Sequence, residues 1–84
     1  MKQRKIKLTA EELAQLQNVK DSAELDFRNA KLAFYHRTEY KGVAVTYEVL
    51  RSYAELLIAH NYAYQKAIYG TIKVKISVAR LMRR

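Results

Sequence analysis

The chain has no cysteine and no proline, and only two glycines, Gly42 and Gly70, in 84 residues. Without cysteine, a disulfide framework and thiolate metal sites are excluded. Without proline and with so little glycine, few residues read as loop, and no glycine-rich segment can cradle a phosphate with backbone amides. Long hydrophobic runs are missing too. The longest aliphatic run, Leu56-Leu57-Ile58-Ala59, is far short of the ~20 residues a bilayer span needs. Glu11 and Glu12 arrive before any apolar stretch follows the basic start, so no signal peptide is visible. What remains is a chain that is 50% hydrophobic, enough to fold and long enough for one small domain.

The charge is lopsided. Sixteen Lys and Arg stand against eight Asp and Glu, a net +8. Lys2, Arg4, Lys5 and Lys7 occupy the beginning, and Lys73, Lys75, Arg80, Arg83 and Arg84 the end, with no acid in either stretch. The remaining middle, 8–72, has seven basic and eight acidic residues, so the two ends carry the whole imbalance. Basic terminal clusters are the footprint of a polyanionic partner, or a pair of solvated ends that aid solubility.

Thr9-Ala10-Glu11-Glu12 forms a capping box, in which the Thr9 hydroxyl accepts from the Glu12 amide and the Glu12 carboxylate reaches back. Apolar residues then recur at Leu13, Leu16, Ala23, Phe27, Ala30 and Phe34, with Lys20 as an interruption. That spacing predicts a helix with one main seam. Leu25 and Leu32 lie off the seam and suggest a second buried stripe. The helix is expected over 9–41, with Gly42 as its left-handed stop.

A second helix is expected over 44–69, ending at Gly70. One stripe is Val43, Tyr47, Leu50, Ala54, Leu57, Asn61, Tyr64 and Ile68; the other is Val49, Tyr53, Leu56, His60, Ala63 and Ala67. A partner helix covers one stripe, so two imply contacts on two sides. The ends read as strands. Residues 71–78 alternate β-branched apolar residues with polar ones, and residues 3–8 alternate more weakly.

The resulting fold class is mainly α: an antiparallel two-helix hairpin with short N- and C-terminal β-strands, completed by oligomerisation. The two terminal strands would meet at one end of the hairpin. One helix–helix interface seldom offsets ordering costs of about 1.5 kcal/mol per residue, so the stripe from Val49 to Ala67 is the expected interface of a homodimer or higher oligomer. The alternative is that the C-terminal segment folds back over that stripe within one chain.

Chemistry-bearing constellations are scarce. His36 and His60 sit on different helices and form no spaced ligand pair; His60 reads as a hydrogen-bonded histidine of the stripe rather than a ligand. Neither HExxH nor a P-loop is present, and Ser22, Ser52 and Ser77 have no strained turn around them. Glu48 and Glu55 flank Arg51 at helical spacing, the pattern of surface ion pairs. The expectation is a protein that is not an enzyme and carries no cofactor or metal. Seven tyrosines occur, six of them after residue 39. Tyr62 and Tyr69, near Lys66 and the basic C-terminal segment, are candidates for stacking on bases, against interface packing as the ordinary role. Lys5 and Lys7, paired across a ribbon with Lys73 and Lys75, would repel one another unless a polyanion lay along them; lysines on exposed strands also block edge-to-edge aggregation.

The opening Lys5-Ile6-Lys7-Leu8-Thr9-Ala10-Glu11-Glu12-Leu13-Ala14-Gln15-Leu16 supports two resemblances. Its basic strand and capped helix resemble the start of ribbon-helix-helix repressors. That family turns early in its helical region, whereas Asn18-Val19-Lys20-Asp21-Ser22 continues helically here. Over roughly residues 5–20 the chain is also similar to small helical-hairpin proteins of tailed bacteriophages. That resemblance implies a phage or prophage origin, a place in the host cytoplasm, and partners among nucleic acids or host factors, including defence systems. The functional expectation is a basic homo-oligomer binding DNA or RNA with low sequence specificity through Lys5, Lys7, Lys73, Lys75, Arg80 and Arg83, and not a membrane. The alternatives are a protein–protein module that inhibits a host factor or accompanies the virion, and an oligomer that sequesters an anionic nucleotide.

Overall fold

The computed structural model describes residues 8–83. Two long helices pack antiparallel: α1 (Ala10–His36) and α2 (Tyr47–Tyr69). Between them lie two short strands, β1 (Glu39–Tyr40) and β2 (Val43–Ala44), paired with Tyr40 opposite Val43. An irregular segment, 71–77, follows α2 and leads to a five-residue helix, α3 (Val78–Met82). The mainly helical hairpin expected from the sequence is therefore present; the strand expected over 3–8 falls outside the described residues but for Leu8, and the C-terminal end is built differently.

Helix α1 begins as its sequence dictates. The Thr9 hydroxyl accepts from the Glu12 amide at 3.0 Å, and the Thr9 amide donates to the Glu12 carboxylate at 3.1 Å. It stops five residues before the expected end at residue 41. Arg37 takes the left-handed conformation (φ 58°), and the amides of Arg37 and Thr38 donate to the carbonyls of Phe34 and Ala33. This is a Schellman ending without glycine. Gly42 is used elsewhere. Lys41 and Gly42 both have positive φ, at 55° and 77°, and form the two-residue turn joining β1 to β2. Positive φ at both central positions is what a tight hairpin turn requires. The Thr46 hydroxyl caps α2 by accepting from the Val49 amide, and Gly70 (φ 79°) ends it as expected.

The core is small. Phe27, Ala30 and Ala33 of α1 meet Leu50, Ala54 and Leu57 of α2, with Val45 closing one end. Alanines at the contact let the two backbones approach closely. The outer members of the first α2 stripe, Val43, Tyr47 and Ile68, remain substantially exposed. Leu25 and Leu32 do as well, so α1 does not bury the second stripe its sequence suggested. The Cα extents are 52 × 25 × 15 Å, which makes the domain a flat slab with two broad faces.

Candidate nucleic-acid interface

The C-terminal strand expected over 71–78 is not formed. The segment is irregular and bends at Thr71 and Val74, and its backbone groups find side chains of α2 instead of a second strand. Gln65 is the main anchor and is 6% exposed. Its Oε1 accepts from the amides of Lys73 (2.8 Å) and Val74 (2.9 Å), and its Nε2 donates to the Val74 carbonyl (2.9 Å) and to Asn61 Oδ1 (2.7 Å). The Tyr62 hydroxyl accepts from the Ile76 amide at 2.8 Å and donates to the Ile76 carbonyl at 3.0 Å. Ile72 and Ile76 are half-buried while Val74, between them, is 64% exposed, so the two-residue alternation does not survive as a buried face.

Further along, the Ser77 hydroxyl caps α3, whose Val78, Leu81 and Met82 pack on the core. Its last carbonyls are held from α1. Lys31 Nζ donates to those of Leu81 and Arg83, and the Tyr35 hydroxyl donates to that of Met82. A cation at a helix C-terminus meets both the free carbonyls and the negative end of the dipole. Residues 71–83 thus form a strap fastened to α2 in its middle and to α1 at its end.

The strap carries Lys73, Lys75, Arg80 and Arg83, all exposed, and no acid. Among the described residues the ion pairs are Lys20–Asp21, Arg28–Glu24, Lys41–Asp26 and Arg51–Glu55; none involves a strap cation. The Arg51–Glu55 pair is of the kind the helical spacing predicted, at 3.2 Å. Lys5 and Lys7 lie outside the described residues. The expected ribbon pairing them with Lys73 and Lys75 therefore also lies outside the described residues, while the strap amides of residues 73, 74 and 76 are engaged by Gln65 and Tyr62. Among the described residues the cationic feature is a single strap along the slab. Tyr69 keeps a largely exposed ring, with Lys73 Nζ 5.6 Å from its centroid, whereas Tyr62 is half-buried and serves as an anchor of the strap.

The other slab face holds the second α2 stripe. Val49 and Tyr53 are half-buried against the core, His60 and Ala67 are intermediate, Ala63 is exposed and Leu56 is 52% exposed. The strap does not fold over this stripe. Val19, Ser22, Ala23 and Asp26 of α1 join Tyr53, Leu56 and His60 in an open groove of about 240 Å³. At one end of it the hairpin turn is stapled down. The Tyr40 hydroxyl donates to Asp26 Oδ1 at 2.6 Å, Lys41 Nζ lies 3.3 Å from the same oxygen, and the Tyr40 and Tyr53 rings meet edge-on at 5.9 Å. The Tyr40 hydrogen bond, followed by the Lys41 charge, holds the Asp26 carboxyl below its ordinary pKa. The same carboxylate raises the Tyr40 and Lys41 values.

Gln65 is the residue that sequence reasoning missed. Its signal was available: Asn61 and Gln65 put two amides one turn apart on the inward face of α2, where an apolar pair would pack. Such a pair needs a polar partner, and the strap backbone supplies it. Among the described residues there is no group of three or more His, Asp or Glu that could hold a metal, and no helix is long and apolar enough to cross a membrane. No protein-family model, curated protein or solved structure matches the chain.

Proposed function

We propose that this protein binds nucleic acid through the strap face, by contacts to phosphate rather than to base edges, and that it also forms a homodimer. The observation that carries the reading is the strap itself: four exposed cations within residues 73–83, none in an ion pair among the described residues, on backbone fixed to both helices. Fixing them in advance lowers the ordering cost at binding. Lysine and arginine without base-reading geometry give affinity with little sequence preference. Tyr69 beside Lys73 adds an exposed ring on which an unpaired base can stack.

Self-association is supported by the face opposite the strap. Among the described residues the core comprises seven buried apolar residues, with Leu50 the only large side chain fully enclosed, which is little for a domain of this size. The stripe from Val49 to Ala67 is about 27 Å long and two helices wide, on the order of 500 Å² per copy. Two copies would bury about 1,000 Å², the lower bound of a specific interface, so the dimer is expected to form at micromolar concentration.

The test is fluorescence anisotropy with labelled random-sequence DNA and RNA, on the wild type and on the Lys73→Glu/Lys75→Glu double variant. Each lost phosphate contact removes about 0.9 log units of affinity at 0.1 M salt, so the variant is expected to bind about 60-fold more weakly with unchanged helicity. Equal binding by the two proteins contradicts the reading. So does tighter binding of a single nucleotide than of an oligonucleotide, which would favour nucleotide sequestration.

A further inference from the structure

The strap and the groove are on opposite faces of the slab, and this has consequences for how a dimer would hold DNA. The strap is fastened by Lys31, Tyr35, Tyr62 and Gln65, and the groove is lined by none of these. Helical geometry separates the two sets. Ser22 and Lys31 are nine residues apart on α1, as are Asp26 and Tyr35; nine residues are about two and a half turns, which places each pair on opposite sides. On α2, His60 and Tyr62 are about 200° apart.

The two faces also differ in charge. The groove lining contains one carboxylate, Asp26, whose charge Lys41 meets at 3.3 Å, and no unpaired cation. A second copy of a +8 chain can approach there without like-charge repulsion, whereas strap against strap would set cation against cation. Leu56 and Val19, 52% and 44% exposed, supply the apolar contact. The occupant of the groove face is therefore a second copy. Once two copies are joined groove to groove, their straps face outward in opposite directions.

Resting on the nucleic-acid reading above, we infer that the dimer bridges two separate duplexes rather than gripping one. Duplex DNA has a persistence length of about 150 base pairs, so a short duplex lying on one strap cannot curl around the slab to reach the other. The second strap stays open to another segment. Each protomer contributes one polyanion site, and bridging depends on the dimer while binding does not.

The experiment uses a random-sequence duplex of about 25 base pairs fixed to beads and a second, unrelated fluorescent duplex in solution. Wild-type protein is expected to carry the second duplex onto the beads, with capture rising and then falling as excess protein fills every DNA separately. Leu56→Glu places a charge on the groove face at an exposed position. It is expected to abolish capture while leaving anisotropy-measured affinity for one duplex within about twofold. Ala63→Glu, also exposed, is expected to act the same way. If wild-type protein binds single duplexes yet captures no second duplex, the bridging inference is overturned and the binding reading stands. Capture undiminished in variants that sedimentation shows to be monomeric overturns it equally. No binding to a single duplex overturns the underlying reading and bridging with it.

Discussion

Replacing Gln65 with leucine keeps the side-chain volume and removes every polar contact the residue makes. Three of its four hydrogen bonds join α2 to the strap: two accepted from the Lys73 and Val74 amides and one donated to the Val74 carbonyl, all at 2.8–2.9 Å. At about 1 kcal/mol net for each bond, the strap loses about 3 kcal/mol of attachment. The full loss is not realised if the strap detaches, because water then satisfies its backbone. The expected destabilisation is thus about 2–3 kcal/mol, or roughly 10–20 °C in Tm for a domain of this size. Thermal melts followed by circular dichroism measure the first effect. Hydrogen exchange locates it: the amides of Lys73, Val74 and Ile76 are expected to lose protection, while Ala54 and Leu57 in the α2 core keep theirs relative to global unfolding. Nucleic-acid affinity is expected to fall as well, since ordering of the strap is then charged to binding. A Gln65→Leu protein with unchanged Tm and protected strap amides would refute the reasoning that side chains, rather than a partner strand, hold this segment.

Other perturbations test other parts of the structure. Leu50→Ala empties the space of the one large side chain that is fully enclosed among the described residues, and chemical denaturation is expected to show a loss of about 3 kcal/mol. Thr46→Ala removes the cap of α2 and is expected to cost about 1 kcal/mol in the same assay. Asp26 makes stability depend on acid. Its folded pKa lies below the ordinary value of 3.8, chiefly through the Tyr40 hydroxyl, so the ionised form favours the folded chain. That contribution is complete above the ordinary value and disappears as pH falls through the lower, folded one. Urea titrations of wild type and Asp26→Asn are expected to differ at pH 6 and to converge on acidification below pH 4. A gap independent of pH would show that the Tyr40–Asp26–Lys41 staple contributes nothing through charge.

How much of this was legible in the sequence differs from element to element. The Thr9–Glu12 box, the Gly70 boundary and the seam through Phe27, Ala30, Leu50, Ala54 and Leu57 rest on local rules of capping and periodicity, and the chain obeys them, whereas α2 starts at Tyr47 rather than at the expected 44, because Val43 and Ala44 pair in the hairpin. The end of α1 was not legible, because Arg37 takes a conformation usually left to glycine while Gly42 serves a turn five residues later. The need of Gly42 for positive φ was read correctly and assigned to the wrong element. The strap failed for a different reason. Alternation in 71–78 predicts extended backbone, but the segment bends at Val74, turns helical at Val78, and takes two side chains of a helix, Tyr62 and Gln65, as its partners. For the candidate site, the strap cations were identifiable from charge alone, but their arrangement required knowing where the strap is fastened. Lys5 and Lys7 lie outside the described residues, and Tyr62 turned out to anchor the segment it was expected to assist.

The most direct test of the central claim is the salt dependence of duplex binding. If Lys73, Lys75, Arg80 and Arg83 each displace a counterion from phosphate, log K falls with log salt at a slope of about −3.6 per protomer. Affinity then drops about 150-fold between 50 and 200 mM salt, against about 12-fold for Lys73→Glu/Lys75→Glu, which retains two contacts. A wild-type slope near zero, or one that the double variant leaves unchanged, would contradict the assignment of the strap as the surface that meets nucleic acid.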